Sequence, residues 1–341
     1  MSDAVAADLA RVAELARRVL GDVKEIAPLS AALGLRRFYR VRTASGRMAI
    51  ARVETEEDPA GRPPGIAPEP PLARIRALTE RAGLPVPSCY GSAPGVELLE
   101  DLGDESLYAR SQKCSAAETE ALIAQALDLL PRLQRIVDDG SGVEAFSRRL
   151  DAPYFAYKAD LFARYSLAAA LGRAPSAAED AALRDAFAWI GAECARAPLR
   201  LAHRDFQSQN LLLRADGSLG LIDLQGAFIA PPEYDAVCLL RDSYLELAER
   251  FVDAQAARLR GLLPAPPDAE AFRVRFDLLT LTRKGKDHAR FLYAAQERGD
   301  TRFLAFAPRT ERMLARAAQR AAGRDARIAR VAELLARWGE G

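Results

Sequence analysis

The chain has 341 residues, half of them hydrophobic and 28% charged, with a formal net charge of +1. That balance argues against a nucleic-acid binder, whose footprint is a basic domain or stripe, and no apolar run approaches the eighteen or so residues of a membrane span. Only two histidines occur, His203 and His288, and Cys89, Cys114, Cys194 and Cys238 stand far apart, so a zinc site or a His-built dyad has almost no material.

The cysteines read as reduced thiols. Acids at Asp3 and Asp8 occupy the place where a signal peptide needs a basic segment, so a cytoplasmic protein is expected. At this length two lobes are expected rather than one core.

Taken in chain order, Val5, Leu9, Val12, Leu15, Ala16 and Val19 recur at helical spacing and predict a packing helix over residues 3–20. Strands are expected at 23–29, 36–43 and 47–54, with Ser45-Gly46 as the turn between the last two. Residues 55–71 read as a Pro- and Gly-rich loop. A helix at 72–82 stops at Gly83 and Pro85. Strand-like pieces at 88–91 and 96–100 lead into Glu100-Asp101-Leu102-Gly103, where the β-rich half gives way to a helical one. The boundary therefore falls near residues 100–105, with a nucleotide-binding first lobe at 1–103 and a catalytic second lobe at 104–341.

Beyond it, Ser115-x-x-Glu118 and Ser176-x-x-Glu179 are capping boxes that open helices over 116–138 and 177–197. Another helix covers 154–172. Later helices are expected at 234–252, 268–297, 309–322 and 325–338.

The stretch with the most chemical content is Leu201-Ala-His203-Arg204-Asp205-Phe-Gln-Ser-Gln-Asn210, followed by an apolar run, Asp216-Gly217, a second apolar run and Asp223. Asp-Gly between apolar runs predicts a β-hairpin with a two-residue turn. In that register Asn210 and Asp223 become cross-strand neighbours, with Cβ atoms about 5 Å apart. An amide oxygen and a carboxylate so placed suit Mg²⁺, which takes one or two protein carboxylates plus substrate phosphates. The H-R-D-x-x-x-x-N pattern assigns the acceptor's proton to Asp205, with His203 and Arg204 bracing the loop. An ordinary polar turn would leave the Asp-to-Asn spacing and the second Asp-ending strand unexplained.

Weaker signals surround this one. Residues 29–41 hold a single Gly34, where Arg36 or Arg37 meets phosphate or is a solvated strand residue. No Lys lies in 48–54, and Arg52 either grips phosphate or is a strand-exposed Arg. Glu69 is either the acid orienting Arg52 or an acid in a Pro-rich loop. Asp235 reads as a helix-start acid, while Arg241 and Asp242 face the cleft or an ion pair with the catalytic loop. Arg283, Lys284, Lys286 and Arg290 form a solvated face unless they overlook the cleft, where they would suit an anionic acceptor. His288 reads as a polar helix residue.

The stretch 201–242 resembles the aminoglycoside phosphotransferase-like kinases, a group of small-molecule kinases. Within it, Leu35–Arg40, Leu98–Gly103, Asp223-Leu-Gln225, Tyr234-Asp235 and Leu239–Tyr244 are similar to the bacterial amino sugar kinases of cell-wall recycling, which phosphorylate the anomeric hydroxyl of N-acetylmuramate and N-acetylglucosamine. The resemblance implies an α+β, protein-kinase-like bilobal fold, with a small β-rich N-lobe and a larger, mainly helical C-lobe. It implies ATP and Mg²⁺ as cofactors, Asp205 as base, Asn210 and Asp223 as metal ligands, and adenine on the backbone of Glu100, Asp101 and Leu102, with Arg52 and Arg37 as phosphate candidates. The expected acceptor is an amino sugar. The rivals are an aminoglycoside, choline or homoserine-like alcohol, and a nucleotide-binding pseudokinase. Gly226 stands where those sugar kinases tend to carry an acid.

Overall fold

The computed structural model describes residues 3–29, 37–54 and 68–339. The chain divides into two compact units, one of residues 1–62, 85–104 and 212–222, the other of residues 63–84, 105–211 and 223–341. The Gly34 turn, Arg36 and most of the Pro-rich loop lie outside the described residues.

In the first unit α1 (Asp3–Leu20) packs on an antiparallel sheet of β1 (Val23–Pro28), β2 (Arg37–Thr43), β3 (Met48–Val53), β4 (Cys89–Ala93) and β5 (Val96–Glu100), in the spatial order β1-β2-β3-β5-β4. The 3.6-residue period of α1 meets the two-residue period of the strands. Val12, Leu15 and Ala16 are thereby buried against Tyr39, Val41, Ala49, Ala51 and Leu98. The register of β3 on β5 sets Arg52 opposite Glu97.

The hairpin after the 203–210 loop, β7 (Leu211–Leu213) and β8 (Leu219–Leu221), departs from expectation. Arg214 N–H donates to the Ser218 carbonyl at 2.8 Å and Gly217 N–H to the Arg214 carbonyl at 3.0 Å, so three residues, not two, span the turn. Gly217 takes φ +81°, the left-handed position such a loop requires. One extra turn residue shifts the register by one, so Asn210 and Asp223 are not opposed in the ladder.

The second unit contains β6 (Arg200–Ala202), paired antiparallel with β9 (Phe228–Ala230), and the helices α2 (Leu72–Arg81), α3 (Leu107–Ser111), α4 (Ala116–Leu127), α5 (Leu130–Leu133), α6 (Ala152–Leu161), α7 (Ala168–Leu171), α8 (Ala177–Ala195), α9 (Tyr234–Leu240), α10 (Glu249–Leu262), α11 (Ala269–Arg298), α12 (Ala307–Ala321) and α13 (Ala326–Leu334). Both capping boxes form, with Ser115 and Ser176 accepting from the amides of Glu118 and Glu179.

Two expected helices are interrupted. The run over 116–138 breaks after Leu127 and restarts with Pro131 in its first turn, because Pro has no N–H and its ring crowds the preceding turn. The run over 234–252 stops at Leu240, where the Asp242 carboxylate turns back to the amides of Tyr244 (3.0 Å) and Ser208 (2.8 Å). A π-helical turn, Phe162–Leu167, joins α6 to α7.

Among the described residues no helix is long and apolar enough to cross a membrane.

Candidate active site

The loop that leaves β6 is held in one shape from beneath. Asp235, in the first turn of α9, accepts the backbone N–H of His203 at 2.7 Å and of Arg204 at 3.0 Å. This double acceptance supports Arg204 at φ +79°, a conformation that non-Gly residues seldom adopt. Asp235 is thus more than a helix-start acid. Burial pushes its carboxyl up to about 7, against the pull of the two amides. Cys238 donates its thiol to the Arg204 carbonyl at 3.3 Å, and Asp242 holds Ser208, which settles the role left open for Asp242. Arg241 instead pairs with Glu249 (2.9 Å).

His203 is fully buried, and its Nδ1 accepts the backbone N–H of Asp205 at 3.3 Å, a bond that leaves the ring proton on Nε2. Its ring meets Phe206 edge to face. Asn210 donates its amide to the Asp205 carbonyl at 2.8 Å, closing the loop. That bond uses Nδ2 and leaves Oδ1 to accept a cation. Asp223 sits at φ +70° just before the turn 224–226, where the Gln225 amide bonds one of its oxygens. A Cβ at Gly226 would lie 3.2 Å from the Arg204 guanidinium, so this turn packs directly on Arg204. Two hard oxygen donors fit Mg²⁺. No cluster of three His, Cys, Asp or Glu that could hold a metal occurs among the described residues.

The Asp205 carboxylate is held on both oxygens. Arg283 Nη2 meets Oδ1 at 3.0 Å and Arg204 Nε meets Oδ2 at 3.2 Å, while Arg204 Nη2 reaches Glu69 at 2.8 Å. Burial works to raise this carboxyl, but Arg283, Arg204 and Lys286 hold it well below the usual carboxylate range.

The late cluster on α11 is therefore no solvated face. Arg283 and Lys284 are each 2% exposed. Gly285 lets α11 approach the ring of Phe162, which a side chain there would strike. A mid-helix Gly costs about 1 kcal/mol relative to Ala and so signals such a contact. This was the one sequence mark of an inward face on α11. His288 is likewise buried, bonded to Ser166 at 2.9 Å and Glu311 at 3.0 Å, and pins α11 to the π-turn and to α12.

Lys158 lies under this cluster, 2% exposed, its ammonium without a hydrogen bond and 5.0 Å from the Tyr234 ring centroid. Burial first, then Lys286 and Arg283, push it down to about 7. A Lys whose folded pKa lies below its unfolded value leaves the unfolded chain holding more protons between the two values, so stability rises with pH from about 7 towards 10. Lys158→Met should abolish that part of the rise and raise stability at pH 7 by a few kcal/mol. Chemical denaturation of both proteins across pH 7–10 checks this; parallel pH profiles would refute it.

The nucleotide candidates lie in the first unit. Arg52 is 2% exposed and bonds Glu97 at 3.1 Å and also Glu54, leaving Nη2 unpartnered. It is not strand-exposed; Glu69 meets Arg204. Arg37 pairs with Asp8 of α1. Glu100 pairs with Arg214 and donates its N–H to the Ser88 carbonyl at 2.8 Å. Asp101 meets Arg40 at 2.7 Å, and Leu102 is buried.

Residues 25–272 match the model of the phosphotransferase enzyme family. The chain belongs to that family. It is a small-molecule kinase. It is 27% identical over 330 residues to the N-acetylmuramate/N-acetylglucosamine kinase of Pseudomonas aeruginosa, covering 93% of this chain and 89% of the relative. The kinase of that description from Neisseria meningitidis is 26% identical over 292 residues, covering 84% of this chain and 83% of the relative. Among solved structures, a choline kinase from Streptococcus pneumoniae superposes with a TM-score of 0.59 at 13% identity, covering 91% of this chain and 99% of that one. At that identity the likeness shows the α+β, protein-kinase-like fold alone.

Proposed function

We propose that this phosphotransferase uses ATP and Mg²⁺ to phosphorylate a hydroxyl of an amino sugar of the N-acetylmuramate/N-acetylglucosamine type, in the cytoplasm where ATP is held. The observation that carries the acceptor class is the charge around the base: Arg204, Arg283 and Lys286 all bear on Asp205. Such a surround repels choline or an aminoglycoside and tolerates a neutral or anionic sugar. The names of the relatives that span most of the chain point the same way.

In this reading Asp205 orients the acceptor hydroxyl and takes its proton as the new O–P bond forms and the bond from the γ-phosphorus to the bridging oxygen of ADP breaks. Asn210 and Asp223 hold the metal, which supplies charge neutralisation to the phosphates. His203 and Asp235 set the loop. Arg204 couples it to the metal turn. In the first unit Arg52 is assigned to phosphate and the backbone of Glu100, Asp101 and Leu102 to adenine, while Arg37, which shares the α1 face with Tyr39 and is paired with Asp8, is left out.

ADP release should be followed with ATP and Mg²⁺ over N-acetylglucosamine, N-acetylmuramate, choline, homoserine and gentamicin. Turnover of the amino sugars, abolished by EDTA, is expected. A preference for choline or gentamicin would overturn the acceptor class.

A further inference from the structure

Both oxygens of the Asp205 carboxylate are ion-paired, Oδ1 with Arg283 and Oδ2 with Arg204, and each keeps a further lone pair. A base must offer one oxygen to the acceptor hydroxyl within hydrogen-bond reach. The Arg283 guanidinium is 2% exposed, yet its Nε and Nη1 have no hydrogen-bond partner, although Asp287 lies 3.4 Å from Nη1. Buried N–H groups without acceptors are costly and are rarely left so.

The neighbouring carboxylate cannot supply what is missing. Asp287 bonds Lys284 at 2.7 Å, while Lys286 stands 3.5 Å from it, beyond a good hydrogen bond. Arg204, Arg283, Lys284 and Lys286 thus meet the carboxylates of Asp205, Asp287 and Glu69, and positive charge is in surplus. Lys286 keeps 13% of its side chain exposed and is the accessible edge of the cluster. Tyr244, on which Asp287 and Arg283 act electrostatically, meets Phe306 at 4.8 Å and Tyr108 at 5.7 Å, partly exposed rings suited to a sugar face. The metal candidates Asn210 and Asp223 come from elements other than α11.

From these contacts we infer that Arg283 and Lys286 recognise a carboxylate on the acceptor. The inference rests on the amino sugar reading and adds to it the charge of the preferred substrate. An acceptor carboxylate would supply a partner to the Nε and Nη1 groups of Arg283 that lack one. A neutral acceptor leaves them without it.

The test compares N-acetylmuramate with its lactyl carboxamide, two acceptors of nearly the same shape that differ in one charge. With the full-length enzyme, kcat/KM is expected to favour the carboxylate at least tenfold. Lys286→Met and Arg283→Lys should each shrink that ratio to threefold or less, whatever their effect on the absolute rate. Lys286 is partly exposed and Arg283→Lys keeps the charge, so at least one variant folds. Equal use of the two acceptors by the parent enzyme overturns the inference while leaving an amino sugar kinase. A fall of both acceptors together in the variants also overturns it, and assigns the cations to the transferring phosphoryl group instead. Turnover of neither amino sugar, with choline or gentamicin accepted, removes the underlying acceptor reading and this inference with it.

Discussion

Replacing Asp205 by Asn is expected to lower kcat by about 10²–10⁴, the usual contribution of a positioned general base, with nucleotide affinity changed by less than about threefold. The amide keeps the shape of the side chain, so the loop stays pinned by Asp235 and Asp242, whose bonds go to backbone amides of His203, Arg204 and Ser208. What is lost is the charge. Asp205 is held ionised by Arg283 and Arg204, and an Asn leaves two guanidinium groups facing a neutral amide. Single-turnover kinetics with nucleotide binding measured alongside separates the chemistry from binding. Near-normal turnover in this variant would remove Asp205 from the reaction.

The second large effect is expected at Asp223. Asn is among the few side chains that tolerate its left-handed backbone, φ +70°, and it can still bond Gln225, so Asp223→Asn should fold. It takes one negative charge from the metal site. Metal neutralisation of the phosphates is worth several kcal/mol, so kcat should fall on the order of a hundredfold or more, with the Mg²⁺ concentration for half-maximal rate raised at least tenfold. Titrating Mg²⁺ at saturating ATP reads both quantities. An unchanged Mg²⁺ dependence would show that another group holds the metal.

Much of the catalytic loop was legible because its logic is short-range. Asp205, Asn210 and Asp223 stand within nineteen positions of one another, and the Asp-to-Asn spacing needs only one turn to become a bond from the Asn210 amide to the Asp205 carbonyl. The same holds for the capping boxes at Ser115 and Ser176, where each partner is three residues away. The hairpin shows the limit of such reasoning. Asp-Gly supports two- and three-residue turns alike, and only the bond from Arg214 to Ser218 decides between them. One residue of difference was enough to undo the proposed pairing of Asn210 with Asp223.

The division into units was less readable. Residues 63–84, which contain α2, and residues 212–222, which contain most of the hairpin, each belong with the unit other than the one their neighbours suggest. The Pro-rich run before α2 marks a loop but not the unit that the helix after it joins.

Residue types in a local pattern pointed, unaided, to phosphoryl transfer and to the loop proposed to carry it, because an acid, an amide and a second acid at those intervals have few other uses. Tertiary structure alone decided what surrounds the acid. Arg283 reaches Asp205 across 78 positions, and a basic run on a helix looks the same whether it faces water or a carboxylate. Glu69 meets Arg204 from 135 positions away for the same cause: charge attraction acts through space and is indifferent to the order of residues along the backbone.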